Sequence, residues 1–279
     1  MRLALLVPLL AVFATAACAE RGRPATSAVP EAFPYRLDAP DAVFELPVRL
    51  QEISGLTVLP TGRLGAIQDE DGVIFEVDPA SGRVTAEQAF GDDGDYEGVE
   101  LTPDAVWVLR SDGDLYRVSQ DSAGRVETRK IETALKSKND TEGLAYDAAR
   151  ARLLIACKED PGDGLDEARA IYAFDLATET LSAAPVALLD RTRVDGDATF
   201  KPSAMAVDPR TGRWFVLSSV EKALAVLDSD GMLLDVIALS PRLFPQPEGI
   251  TFDAAGTLYI ANEGPLGAGT LLRFSPTDA

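Results

Sequence analysis

The sequence predicts an all-β protein, a five-bladed β-propeller of four-stranded antiparallel blades, with six blades as the alternative count. The first observation behind this is a repeat. Ser54-Gly55-Leu56, Glu97-Gly98-Val99, Glu142-Gly143-Leu144, Ser203-Ala204-Met205 and Glu248-Gly249-Ile250 each open an alternating apolar run, a turn containing Asp or Pro, and a second run. Their second positions are 55, 98, 143, 204 and 249, so the steps are 43, 45, 61 and 45 residues. A period near 45 is the length of one blade. The second observation is punctuation: short alternating runs separated by Asp, Gly and Pro are strand and hairpin signatures. The third is that the last repeat stops one strand short, while a spare strand-like run, VFELPV at 43–48, precedes the first. Exchange of strands between the termini would close the ring and hide its edges.

Taken in order, blade one is ISGLTVL, RLGAIQ, VIFEVD and RVTAEQAF, turning at Pro60-Thr61-Gly62, Asp71-Gly72 and Pro79-Ala80-Ser81-Gly82. Blade two is GVELT, AVWVLR, LYRVS and RVETRKI, and blade three is GLAYD, RLLIACK, AIYAFDL and the weaker APVALLD. The 61-residue step exceeds its neighbours by 16, and two stretches read as insertions there, the acidic 159–169 and 191–199. Blade four is AMAVD, RWFVLSS, ALAVLD and LLDVIAL, and blade five is GITFD, TLYIAN and LLRFSP.

Residues 1–17 read as an export signal, with Arg2 as its positive start and an apolar stretch at 3–13 too short for a comfortable membrane span. Thr15-Ala16-Ala17-Cys18 is similar to a bacterial lipobox, which makes Cys18 the expected lipidated residue; cleavage after Ala19 is the competing reading. Residues 18–41, with Pro24, Pro30, Pro34 and Pro40 and no periodicity, read as a tether, and 42–279 as the propeller domain. The expected setting is the cell envelope, lipid-anchored and facing the periplasm or exterior, with a soluble exported protein as the alternative. Cys157 closes the apolar run LLIAC and reads as a buried free thiol.

Lys and Arg total 26 against 45 Asp and Glu, a net charge of −19, which argues against nucleic-acid and anionic-membrane partners. There is no histidine, which removes Ser-His-Asp and Cys-His catalysis and His-ligated zinc. What chemistry remains must run on carboxylates, Lys, Tyr, Ser or a hard metal ion.

In a propeller the first strand of each blade lines the axis, so Ser54, Glu97, Glu142, Ser203 and Glu248 converge at one mouth. Three uncompensated carboxylates there would raise one another's pKa values, and a hard cation such as calcium, which takes several oxygen ligands, is the simplest compensation. The alternative is that the glutamates bond to backbone N–H groups of neighbouring blades and only tie the ring together. Gly55, Gly98, Gly143 and Gly249 would let backbones pass closely at the axis. Second strands return to the same face, bringing Gln68, Asp69, Arg110, Ser111, Lys158, Glu159, Ser218, Ser219, Asn262 and Glu263 to an outer ring. Asn262 and Glu263 are the expected further oxygen donors, and Lys158, Lys201 and Arg110 the expected neutralising cations. Asp95, in the acidic run 91–95, is placed within reach of the inner ring.

Glu52-Ile53-Ser54-Gly55-Leu56, Glu142-Gly143-Leu144-Ala145, Lys201-Pro202-Ser203-Ala204, Val216-Leu217-Ser218-Ser219 and Gln246-Pro247-Glu248-Gly249-Ile250, with Asn262-Glu263, resemble the bacterial SdiA-regulated (YjiK-like) family. The resemblance covers most of the chain after Leu46. It implies a five-bladed propeller distantly related to NHL-repeat propellers, with a bound calcium ion. Carried onto this sequence, the matching metal positions are Glu97, Glu142, Glu248 and Glu263. The expected function is a calcium-binding module for a protein or small-molecule ligand at the channel mouth, acting as a monomer. The alternative is a calcium-dependent lactonase or phosphoesterase-like hydrolase, with Glu263 or Glu142 as base.

Overall fold

The computed structural model describes residues 33–165, 168–190, 200–264 and 266–277. Among the described residues twenty-one strands form five antiparallel sheets, and the only helical element is a 3-10 turn at Val48–Leu50. After β1 (Ala42–Glu45), blade one is β2 (Ile53–Val58), β3 (Leu64–Gln68), β4 (Val73–Val77) and β5 (Val84–Ala89). Blade two is β6 (Tyr96–Leu101), β7 (Val106–Arg110), β8 (Leu115–Gln120) and β9 (Val126–Ile131). Blade three is β10 (Thr141–Asp147), β11 (Arg152–Cys157), β12 (Ala168–Asp175), β13 (Thr180–Leu181) and β14 (Ala187–Asp190). Blade four is β15 (Ala204–Val207), β16 (Trp214–Ser218), β17 (Ala223–Leu227) and β18 (Leu233–Ala238). Blade five is β19 (Pro247–Phe252), β20 (Leu258–Asn262) and β21 (Thr270–Phe274).

The missing outer strand of blade five is β1, which pairs with β21 from Ala42↔Arg273 to Glu45↔Thr270. Thus the expected exchange of strands between the two ends of the chain is present. Blade three differs from expectation. Its outer strand is split, because β12 pairs with β13 at one end and with β14 at the other. The extra length of this repeat therefore lies partly in that interruption. Of the two stretches read as insertions, 191–199 lies outside the described residues, as do the export segment and Cys18.

Alternation within each strand supplies the cores between blades. On β16, Phe215 and Leu217 pack against Ile250, Leu258 and Phe274 of blade five. Trp214 and Val216, one residue out of phase, pack against Leu154 and Ile171 of blade three. A middle strand buried on both faces reads as a continuous apolar run, and β16 is buried at every position. The outer strand β5 is exposed along almost its whole length.

Residues 33–41, which composition places in the tether, pack on the propeller instead. Tyr35 and Leu37 are buried in the core between blades four and five. Tyr35 meets the rings of Phe215 and Phe252 and donates to the Gly256 carbonyl at 2.8 Å. The proline content masked this, because two apolar side chains spaced by two residues suffice to fill an interblade groove.

Candidate functional site

The mouth is built by bulges. In four blades the ladder between the first and second strands slips by one residue, at Ile53/Gly55, Tyr96/Gly98, Thr141/Gly143 and Pro247/Gly249. The residue left unpaired is Ser54, Glu97, Glu142 or Glu248, and a bulge re-aims the side chain that it releases. The glycine that follows each is required by crowding. A Cβ on Gly98 would lie 2.7 Å from the Leu144 Cβ of the next blade, and one on Gly55 3.0 Å from the Val99 nitrogen. Second strands return as expected, with Gln68 opposite Ile53, Arg110 opposite Tyr96 and Asn262 opposite Pro247.

Glu142 and Glu248 are buried, and Glu97 partly so. Burial, then the charges of Glu142, Asp95 and Glu248, push the Glu97 carboxyl up to about 10. Burial and then Glu248 push Glu142 up to about 8, against the pull of Lys158. Glu248 rises to about 7, chiefly by burial, with the Ser219 hydroxyl and Lys158 drawing it down. Glu263 rises to about 8 through burial, then Glu248, Asp69 and Glu52. These carboxyls therefore share one field at one mouth. The Lys158 ammonium donates to Glu142 and is the inner counter-ion.

The remaining expected cations serve elsewhere. Lys201 pairs with Glu159, and Arg110 with Asp112 and Asp114. The mouth serines tie neighbouring blades together. Ser54 donates to the Tyr96 carbonyl at 2.6 Å, and Ser203 to the Pro247 carbonyl at 2.7 Å.

Sequence reasoning missed or underweighted Glu52 and Asp140, which precede two of the mouth motifs and add to its negative field. Asp69, placed only in the outer ring, rises to about 6 through burial, then Glu52 and Glu70, and one of its oxygens is buried without a hydrogen-bond partner among the described residues. The other miss is Glu100, on the opposite half of the channel. Its carboxylate accepts from the Thr57 hydroxyl at 2.8 Å and from the Leu101 and Tyr146 N–H groups at 2.9 and 3.2 Å. Glu100 thus makes the kind of bond weighed for the mouth glutamates, to one backbone N–H of a neighbouring blade, that of Tyr146. A signal was present: the matching positions of the other repeats are Thr57, Ala145, Ala206 and Thr251, all uncharged.

Two observations test whether a hard cation fits the mouth. The donors are oxygens, and a void of about 10 Å³ lies on the axis against Glu97 and Glu142, room for about one water-sized occupant. The side-chain oxygen of Asn262, a fully buried residue next to Glu263 in the chain, has no hydrogen-bond partner among the described residues either. On the other side, among the described residues no three acidic or thiol side chains are already gathered at coordinating distance. The residue types fit calcium; a bound ion would draw the carboxylates inward.

Fold and mouth together define a five-bladed propeller with an acidic axial opening. The chain belongs to the SdiA-regulated family, whose model matches residues 36–266. Solved structures share the fold at low identity. A glutaminyl cyclase from Myxococcus xanthus is 12% identical over 85% of this chain and 95% of its own, with a TM-score of 0.62. A gluconolactonase from Xanthomonas campestris is 19% identical over 80% and 72%, with a TM-score of 0.51. An aldose sugar dehydrogenase from Streptomyces coelicolor is 16% identical over 85% and 99%, also at 0.51. Among the described residues, no helix is long and apolar enough to cross a membrane.

Proposed function

We propose that this protein is a calcium-dependent binding module of the cell envelope, exported, held there through Cys18 and working as a monomer. The supporting observation is that Glu97, Glu142 and Glu248, each re-aimed by a bulge, share one electrostatic field, with Glu97 and Glu142 against a void the size of one water or ion. Glu97, Glu142, Glu248 and Glu263 would hold the ion. Its charge would offset the mutual repulsion that raises their pKa values, and its open side would attract an oxygen of a protein or small-molecule ligand.

The hydrolase reading needs a free base. Glu142 already accepts from Lys158, and Glu263 from the Gln246 side chain. Those bonds favour binding over hydrolysis.

The test is thermal unfolding in chelator and then in excess calcium. Ligand at a hundred times its dissociation constant stabilises by about 2.7 kcal/mol, a midpoint rise of about 5–10 °C for a domain of this size. The rise should be absent with magnesium and in Glu97→Gln. No rise with calcium would overturn the reading. Turnover of lactones or phosphoesters that appears with calcium would move the protein to the hydrolase class.

A further inference from the structure

The opposite end of the channel is a different kind of site. All five blades contribute to a cavity of about 290 Å³ there, including Thr57, Glu100, Tyr146, Ala206 and Thr251. Its size comes from the sequence: Ala206 stands where a larger side chain at the same repeat position would fill the channel. The volume approaches the lower end for small-molecule pockets.

Its charges are unevenly compensated. Asp147 is paired with Arg150 and Arg152 at 3.2 and 2.9 Å. Asp208 has Arg210 at 3.6 Å and accepts from the Thr211 hydroxyl at 2.9 Å. Glu100 is different. Three hydrogen bonds fix its carboxylate, but among the described residues no cationic side chain pairs with it. A carboxylate enclosed without a counter-charge is costly, and this one lines an open cavity. Burial pushes it up to about 7, so near neutral pH it stands ready to ionise beside a positive ligand. The rest of the lining is mixed: the Thr251 hydroxyl, 5% exposed by residue, makes no hydrogen bond among the described residues, and Phe252 and Val207 offer apolar surface.

We propose that this second mouth binds a small organic ammonium ion, with its nitrogen against Glu100 and its carbon body against Val207 and Phe252. A divalent metal is disfavoured because Glu100 has most of its lone pairs engaged and the other two carboxylates of the lining, Asp147 and Asp208, are already paired with arginines. A neutral polyol would leave the charge unanswered.

The experiment is calorimetric titration of the full-length protein with n-butylammonium chloride, with 1-pentanol as the neutral comparator of similar size. Saturable binding of the ammonium is expected, at least tenfold weaker in Glu100→Gln and unchanged in Glu97→Gln at the other mouth. Amide shifts recorded on the unmutated protein give a readout that does not depend on the variant folding. The Leu101 and Tyr146 N–H groups, both bonded to Glu100, should move. Absence of saturable binding, equal binding of pentanol, full affinity in Glu100→Gln, or shifts confined to the Glu97–Glu142–Glu248 mouth would each overturn the proposal.

Discussion

Replacing Glu248 by Gln should stabilise the metal-free protein at pH 8 and do almost nothing at pH 4.5. Glu248 is 8% exposed, and its carboxyl is raised from 4.5 to about 7. Between those values the folded protein holds a proton that the unfolded chain has released, so stability present at low pH is lost as pH rises through about 7. A difference of this size corresponds to about 3 kcal/mol, an upper figure because Glu97, Glu142 and Glu263 respond to the same charge. The Gln amide keeps the size and can still accept from Ser219. Without the charge, the variant should unfold about 6–12 °C higher than the parent at pH 8 in chelator, and the gap should close towards pH 4.5. Differential scanning calorimetry across pH 4.5–8.5 measures it. A parent whose stability is flat or rises over that interval would refute the reasoning. So would a variant destabilised equally at every pH, which would make Glu248 a packing residue only.

Three further outcomes are expected. Lys158→Met removes the ammonium on buried Glu142 and should cost about 3 kcal/mol at pH 8 in urea titrations, less at pH 5, where Glu142 is protonated. Gly98→Ala places a Cβ 2.7 Å from the Leu144 Cβ and should destabilise by about 1–3 kcal/mol, read from the same titration with an unchanged slope. Tyr35→Ala empties an aromatic site between Phe215 and Phe252 and should cost about 3 kcal/mol, whereas the ordinary tether read from composition would lose nothing there.

The fold was legible because a blade is a local object. Each repeat writes its strands as period-two runs with turn residues between them, and the spare run at 43–48 announces β1 by its position alone. Sheet order follows almost without choice once sequential hairpins are accepted. What stayed hidden was either split or short. The outer edge of blade three divides between β14, which lies in the run APVALLD, and β13, too brief to register, and Tyr35 and Leu37 sit in a stretch whose prolines dominate its composition. At the mouth, the glutamates and the returning second strands were readable from the repeat. Which cation answers which acid was not, because Lys158, Lys201 and Arg110 differ only in where neighbouring loops carry their acidic partners.

The two ends of the channel show what a repeat can and cannot encode. At the first mouth a glycine follows the bulged position in four blades, and the bulges place Glu97, Glu142 and Glu248 in one electrostatic field. That arrangement needs cooperation among repeats, so it appears as a shared motif. At the second mouth no bulge intervenes, and Glu100 follows the regular alternation of β6. A single departure from its repeat, one acid among Thr57, Ala145, Ala206 and Thr251, is enough to create a different environment. Symmetry of the scaffold thus makes the conserved plan visible, while chemical individuality enters where one blade breaks it. Because Glu97 and Glu100 lie on one strand and serve opposite mouths, substitutions three residues apart should separate calcium-dependent stabilisation from ammonium binding.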